Sequence, residues 1–92
     1  MAPIKAREVE SALLKKGFEL DQRHHRFFFL VVDGRSSGIF TRISHGHEDI
    51  GDKILGRMAR QMKIKRRELD EFVSCSMSGN DYLARLRAGG VL

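Results

Sequence analysis

The sequence predicts one α+β domain in which helices pack on a three-stranded antiparallel sheet. An opening segment has apolar residues at helical spacing, three strand-like segments follow around an Asp-Gly pair, and the rest of the chain again shows helical spacing. The chain has 92 residues, of which 41% are hydrophobic. This is enough for one hydrophobic core but not for two, so we expect residues 1–92 to form a single domain.

The first helix is predicted at about residues 5 to 16. Its apolar positions recur every three or four residues, and Gly17 is placed to end it. Lys15 and Lys16 suit its C-terminal end, where the helix dipole favours positive charge.

Three strands should follow, with the sequences FEL, HRFFFLVV and GIFTRIS. Asp33-Gly34 is typical of a two-residue type I′ hairpin between the second and the third strand. The run from Phe27 to Val32 is continuously apolar, which favours burial on both faces, so we expect its phenylalanines in the core rather than stacked on nucleic-acid bases. The uncovered sheet face should display polar residues, one of two adjacent histidines, and Arg26 or Arg42.

Three more helices are predicted after the sheet. The second should span about residues 50 to 62 with Asp49 as its N-cap, and the third about residues 65 to 74. The fourth should begin at Ser78, where Ser78 and Asp81 resemble a capping box. The first and second helices should together cover one face of the sheet in a two-layer arrangement.

The charge balance predicts an acidic partner. The net charge is +5, and residues 53–67 contain seven basic side chains and no acidic one. Phosphate groups are the obvious candidates. No segment has the apolar length of a membrane span or of a signal peptide, and the single cysteine cannot form an internal disulfide, so we expect a cytoplasmic protein with no membrane partner.

All four histidines lie between residues 24 and 47, and three interpretations compete. In the first, they are half-buried residues bonded to backbone at a sheet edge. In the second, the spacing of His45 and His47 would permit a metal, but no cysteine accompanies them. The third interpretation is acid–base catalysis, because imidazole titrates near neutral pH. A ribonuclease that uses the 2′-hydroxyl of its own RNA needs only such a group and a cation near the phosphate, so it requires no metal and no cofactor.

These residues resemble a known family. The segments LLKKGFEL, HHRFFF, VVDGRSSGIFTRISHG and DIGDKILGRMARQMKI, within about residues 5–73, look like those of HicA toxins of bacterial toxin-antitoxin systems. The resemblance implies a double-stranded-RNA-binding-domain-like fold, ordered α-β-β-β-α. The one or two short C-terminal helices expected at about residues 74–88 are an addition to that minimal fold. It also implies a metal-independent endoribonuclease that cleaves mRNA and is neutralised by a HicB-like antitoxin. The family's catalytic histidine corresponds to His24, or else to His25.

The expected RNA-binding residues are the basic side chains near these histidines and on the second helix: Lys15, Lys16, Arg23, Arg26, Arg42, His45, Arg57 and Arg60. Two other functions remain open. A non-catalytic RNA-binding domain would use the same basic face. A subunit that binds only an acidic protein would also explain the charge.

Overall fold

A computed structural model describes residues 3–21, 26–43, 48–74 and 76–92. These residues form four helices and five strands. In chain order they are β1 (Ile4–Lys5), α1 (Ala6–Lys15), β2 (Phe18–Asp21), β3 (Arg26–Val32), β4 (Arg35–Ile43), β5 (Asp49–Ile50), α2 (Asp52–Gln61), α3 (Arg66–Val73) and α4 (Gly79–Ala88). The predicted α+β architecture with a three-stranded antiparallel sheet is confirmed.

Strand β3 lies at the centre of this sheet, between β2 and β4. The predicted hairpin joins β3 to β4: Asp33 and Gly34 have φ angles of 52° and 78°, the two positive values that a type I′ turn requires. The register shifts between Phe29 and Val31, and the Ser37 hydroxyl donates a hydrogen bond to the Leu30 carbonyl at 3.0 Å beside this irregularity. The strand that carries the shift is β4, where Gly38 has a φ of 84°.

One face of the sheet is buried and forms part of the hydrophobic core. Alternate side chains of the three strands point to that face and are buried there, namely Phe18, Phe28, Leu30, Ile39, Thr41 and Ile43. The polar member, Thr41, donates its hydroxyl to the Gln61 side-chain oxygen at 2.8 Å, so its burial leaves no unpaired hydroxyl.

Helices α3 and α4 share this core with α1 and α2. The rings of Phe18, Phe72 and Tyr82 meet with centroids 5.2 to 6.2 Å apart, which joins β2 to both C-terminal helices. The Tyr82 hydroxyl donates to the Met62 carbonyl at 2.8 Å, at the end of α2. Helices α1 and α2 pack on the sheet as expected. Helices α3 and α4 enlarge the core, because all four helices contribute buried side chains to one cluster.

Two local features differ from the sequence-based expectations. Strands β1 and β5 form a short antiparallel pair that the sequence did not predict, since two residues are too few to show a period. Asp49 belongs to that pair, and the N-cap of α2 is Gly51, two residues later. The capping box of α4 is confirmed: Ser78 and Asp81 exchange two hydrogen bonds of 3.0 Å, and these hold the pKa of Asp81 below its ordinary value of 3.8.

Among the described residues, no helix combines the length and the apolar character needed to cross a bilayer.

Tyr82 provides a spectroscopic test of this packing, because it is the only tyrosine and the chain has no tryptophan. Burial raises the pKa of Tyr82 above its ordinary value of 10.0, since the phenolate would lose its hydration. Its raised folded-state pKa stabilises the fold fully below pH 10.0, and this contribution is lost as the pH rises above that value. Alkaline titration followed by tyrosinate absorbance should show no ionisation near pH 10.0 until the chain unfolds. Ionisation near pH 10.0 in a folded chain would contradict the buried position.

Candidate nucleic-acid interface

The two expected catalytic residues, His24 and His25, lie outside the described residues, as do Arg23 and His45. The strand residues that border these segments are described. Arg26, which begins β3, is the direct partner of Ile43, which ends β4. The described residues that follow segment 22–25 and precede segment 44–47 in the sequence therefore lie side by side at one end of the sheet.

Arg26 is held by α1. Its guanidinium makes a two-pronged ion pair with the Glu10 carboxylate, in which Nη1 donates at 2.9 Å and Nη2 also donates. The Glu10 side chain is only 16% exposed and that of Arg26 27% exposed. This ion pair fixes the start of β3 against α1. It also engages the Arg26 guanidinium, which would otherwise be available to a phosphate.

Lys16 is also committed to the fold. Its ammonium donates to the Met77 carbonyl at 2.7 Å and to the Phe72 carbonyl, and it lies 4.8 Å from the centre of the Phe72 ring. These carbonyls lie at and beyond the end of α3, where a positive charge is favourable. The neighbouring Lys15 is exposed, so two adjacent lysines have different surroundings.

A basic stripe runs along the outer side of α2. Lys53, Arg57 and Arg60 follow one another at intervals of four and three residues, so they share a face of the helix, and all three are exposed. The buried residues of α2 lie on the opposite face. No ion pair engages these three side chains within the described part of the chain.

The predicted basic run from Lys53 to Arg67 is not uniform. Arg66 contacts Asp52 at 2.9 Å and Asp70 at 2.8 Å, and its side chain is only 18% exposed. It therefore ties the start of α2 to α3. The run itself contains no acidic residue, but Asp52 and Asp70 on either side of it pair with Arg66. Only the exposed basic residues of the run therefore remain without an ion pair among the described residues.

Arg42 extends the basic stripe onto the sheet. The Gln61 side-chain oxygen accepts the Arg42 backbone N–H at 3.3 Å, together with the Thr41 hydroxyl, and so anchors the end of α2 on β4. Arg57 precedes Gln61 by one helical turn. Arg42, which is exposed on the open face of the sheet, and Arg57, which is exposed on α2, are thus both close in the chain to the contact that joins β4 to α2.

The sheet face away from the helices is aromatic. Phe28 is buried as expected, but Phe27 and Phe29 point to the other face and are partly exposed, and Phe40 is 44% exposed. Phe29 and Phe40 are direct cross-strand partners, and the rings of Phe27 and Phe40 lie 5.8 Å apart. The expectation that all three consecutive phenylalanines belong to the core was wrong, because alternation sends only the middle one inward.

Two clefts lie beside α1. A groove of about 750 Å³ runs between α1 and α3, and Arg7, Lys15 and Asp70 are among its lining residues. A smaller cleft of about 300 Å³ is lined by Lys5, Ala6, Arg7, Glu10 and Glu48. Both clefts combine acidic and basic side chains, so neither has the uniformly positive charge of the basic stripe on α2. Within the described ranges, no group of three or more His, Cys, Asp or Glu side chains is arranged to hold a metal ion.

Comparison of the chain with protein-family models, with curated proteins and with solved structures gives no match. The resemblance to HicA toxins therefore rests on the quoted segments alone.

Replacing Lys16 should separate a structural role from a role in RNA binding. We expect Lys16→Met to lower the free energy of unfolding by about 1–3 kcal/mol, because two carbonyls lose a charged donor. Lys15→Met is the matched control and should change it by less than about 0.5 kcal/mol, as is typical of an exposed site. Chemical denaturation of both variants measures the difference. Equal stability of the two variants would contradict the structural assignment of Lys16.

Proposed function

We propose that this protein is a metal-independent endoribonuclease that binds RNA on the side of the domain formed by α2 and β4. The observation that carries the proposal is the exposed basic stripe of Lys53, Arg57 and Arg60, which continues to Arg42 and has no acidic partner among the described residues. Unpaired Arg and Lys side chains in a row match the regular spacing of charge along a nucleic-acid backbone.

The proposed reaction needs few groups. A histidine of the segment 22–25, His24 or His25, removes the proton from a 2′-hydroxyl, whose oxygen attacks the adjacent phosphorus. The bond from phosphorus to the 5′-oxygen of the next nucleotide breaks, and that oxygen takes up a proton from the imidazolium that the first step produced. The products are a 2′,3′-cyclic phosphate and a free 5′-hydroxyl. Imidazole suits this work because it takes and gives protons near neutral pH.

Charge develops on the phosphoryl oxygens during this reaction, and a nearby cation would stabilise it. Arg26 and Arg42 both lie at the end of the sheet formed by the start of β3 and the end of β4, and both are close in sequence to the histidines. Arg26 is occupied by Glu10, whereas the Arg42 side chain is exposed and makes no ion pair within the described ranges. We therefore assign the phosphate contact to Arg42.

The order α1, β2, β3, β4, α2 supports a fold like that of double-stranded-RNA-binding domains. Together with the resemblance to HicA toxins, it favours a cytoplasmic mRNA-cleaving toxin. Its partner would be a HicB-like antitoxin that covers the basic surface. An acidic antitoxin surface would complement the net charge of +5.

A second candidate function is RNA binding without cleavage. One observation favours it: the stripe and Arg42, as the described residues show them, consist of Lys and Arg side chains alone. The two functions differ in what a histidine substitution does, because only a nuclease depends on that side chain for turnover.

Cleavage of single-stranded RNA in excess chelator tests the catalytic proposal. We expect cleavage by the unsubstituted protein, and a loss of about 100-fold or more in one of His24→Ala and His25→Ala, since general acid–base catalysis contributes at least that much. Mass spectrometry should find 2′,3′-cyclic phosphate ends. His47→Ala is the control and should cleave normally. RNA binding without cleavage by the unsubstituted protein would establish the second candidate function.

Salt dependence tests the binding surface. The double variant Arg57→Gln with Arg60→Gln should bind RNA more weakly. The slope of log affinity against log salt should become less steep by about 1.5 to 2, because two phosphate contacts are lost. Arg7→Gln with Arg87→Gln removes the same charge from exposed sites on α1 and α4 and should leave the slope nearly unchanged. Equal changes in both pairs would mean that net charge alone drives binding.

A further inference from the structure

The open face of the sheet carries aromatic side chains, next to Arg42, that the proposed cleavage does not require. Its rows are formed by cross-strand partners: Phe27 pairs with Arg42, and Phe29 pairs with Phe40. Phe40 is 44% exposed, one of the four exposed large hydrophobic side chains among the described residues. The Phe27 and Phe40 rings are tilted by 54° at 5.8 Å, so they form one aromatic patch rather than two isolated rings.

Charge is divided unequally across this face. On the β2 side, Glu19 and Asp21 are the partners of Phe29 and Phe27. On the β4 side, Arg42 is exposed, and beyond it lies the basic stripe of α2. Among the described residues, this face therefore has the exposed carboxylate of Glu19 at one margin and the exposed guanidinium of Arg42 at the other, with the aromatic patch between them.

We propose that this open face binds single-stranded RNA, with bases stacked on the patch around Phe40 and phosphates on the β4 side. The inference deepens the proposed RNA binding and rests on it. Neither a preference for single strands nor a stacking contact with Phe40 follows from the basic stripe alone.

Aromatic side chains next to arginine favour single strands for a physical reason. A duplex keeps the faces of its bases covered by their neighbours, so a sheet can touch only its backbone and groove edges. A single strand can turn a base onto an exposed ring, and each such contact strengthens binding with little dependence on sequence. The exposed carboxylate of Glu19 on the acidic margin repels phosphate and limits the path of the strand to the β4 side.

The order of these features sets an expected footprint. The phosphates would follow Arg42 toward Arg57, while the bases would turn toward the centre of the sheet. A second copy of this chain, or an apolar protein partner, would instead cover the phenylalanines and leave the affinity for RNA unchanged when Phe40 is altered.

A tryptophan introduced in place of Phe40 provides a direct probe, because the chain has no tryptophan of its own. We expect titration of Phe40→Trp with a single-stranded 2′-O-methyl oligonucleotide, which lacks the attacking 2′-hydroxyl and so cannot be cleaved, to quench its fluorescence by base stacking. Leu14→Trp is the matched control, since Leu14 is 52% exposed and lies on α1, on the covered side of the sheet. Its fluorescence should change little.

Affinity completes the test. Phe40→Leu keeps an apolar side chain but removes the ring, and should weaken binding of the same oligonucleotide by about 5-fold or more, as expected for one lost stacking contact. Binding of a duplex of equal length should stay unchanged.

Three other outcomes are distinguishable. Unquenched fluorescence of Phe40→Trp and an unaltered affinity of Phe40→Leu, with RNA still bound, would overturn the inference and leave the proposed RNA binding intact. Absence of RNA binding by the unsubstituted protein would instead defeat the proposed function itself. Fluorescence of Phe40→Trp that depends on protein concentration without RNA would assign the face to self-association, which also overturns the inference.

Discussion

Side chains that alternate along β3 give the sheet two different faces, and the helices cover only one of them. Phe28 and Leu30 point inward and are completely buried, and burying side chains of this size stabilises a fold by about 1.5–3 kcal/mol each. Their neighbours Phe27 and Phe29 point outward because the period of a strand is two residues. The aromatic patch on the open face is thus a geometric consequence of an uninterrupted apolar strand whose second face is left uncovered by the described helices.

Polar groups around the core determine which charges remain for a partner. Lys16 reaches backbone carbonyls 56 and 61 residues away, Arg26 pairs with Glu10, and Arg66 joins α2 to α3. Each of these cations stabilises contacts between elements. Lys53, Arg57, Arg60 and Arg42 have no such partner among the described residues. The fold thus separates cations that stabilise it from cations that stay available to a ligand.

Much of the fold was predictable from local patterns, because helical spacing, strand composition and turn chemistry are local properties. The hairpin at Asp33-Gly34 and the capping box at Ser78 are examples. The role of Lys16 was not predictable, since its partners are far away in the sequence and are backbone atoms, which carry no residue-specific signal. The pairing of β1 with β5 is too short to show periodicity.

The candidate site was predicted less completely than the fold. Composition and the run from Lys53 to Arg67 correctly indicated a basic surface, but a count of charges cannot separate Arg66 from Arg57 and Arg60. The alternation of side chains along β3 could have identified Phe27 and Phe29 as outward residues. The prediction followed instead from the continuous apolar run, which is typical of a strand buried on both faces. The histidine predictions stay predictions, because those residues lie outside the described ranges.

The most direct test of the proposed interface is a map of backbone amide chemical shifts during titration with single-stranded 2′-O-methyl RNA. We expect the perturbed amides to cluster on β4 and α2, around Phe40 and Arg57, and those of α4 to change little. Perturbations confined to the groove between α1 and α3 would contradict the proposed interface, since neither β4 nor α2 lines that groove.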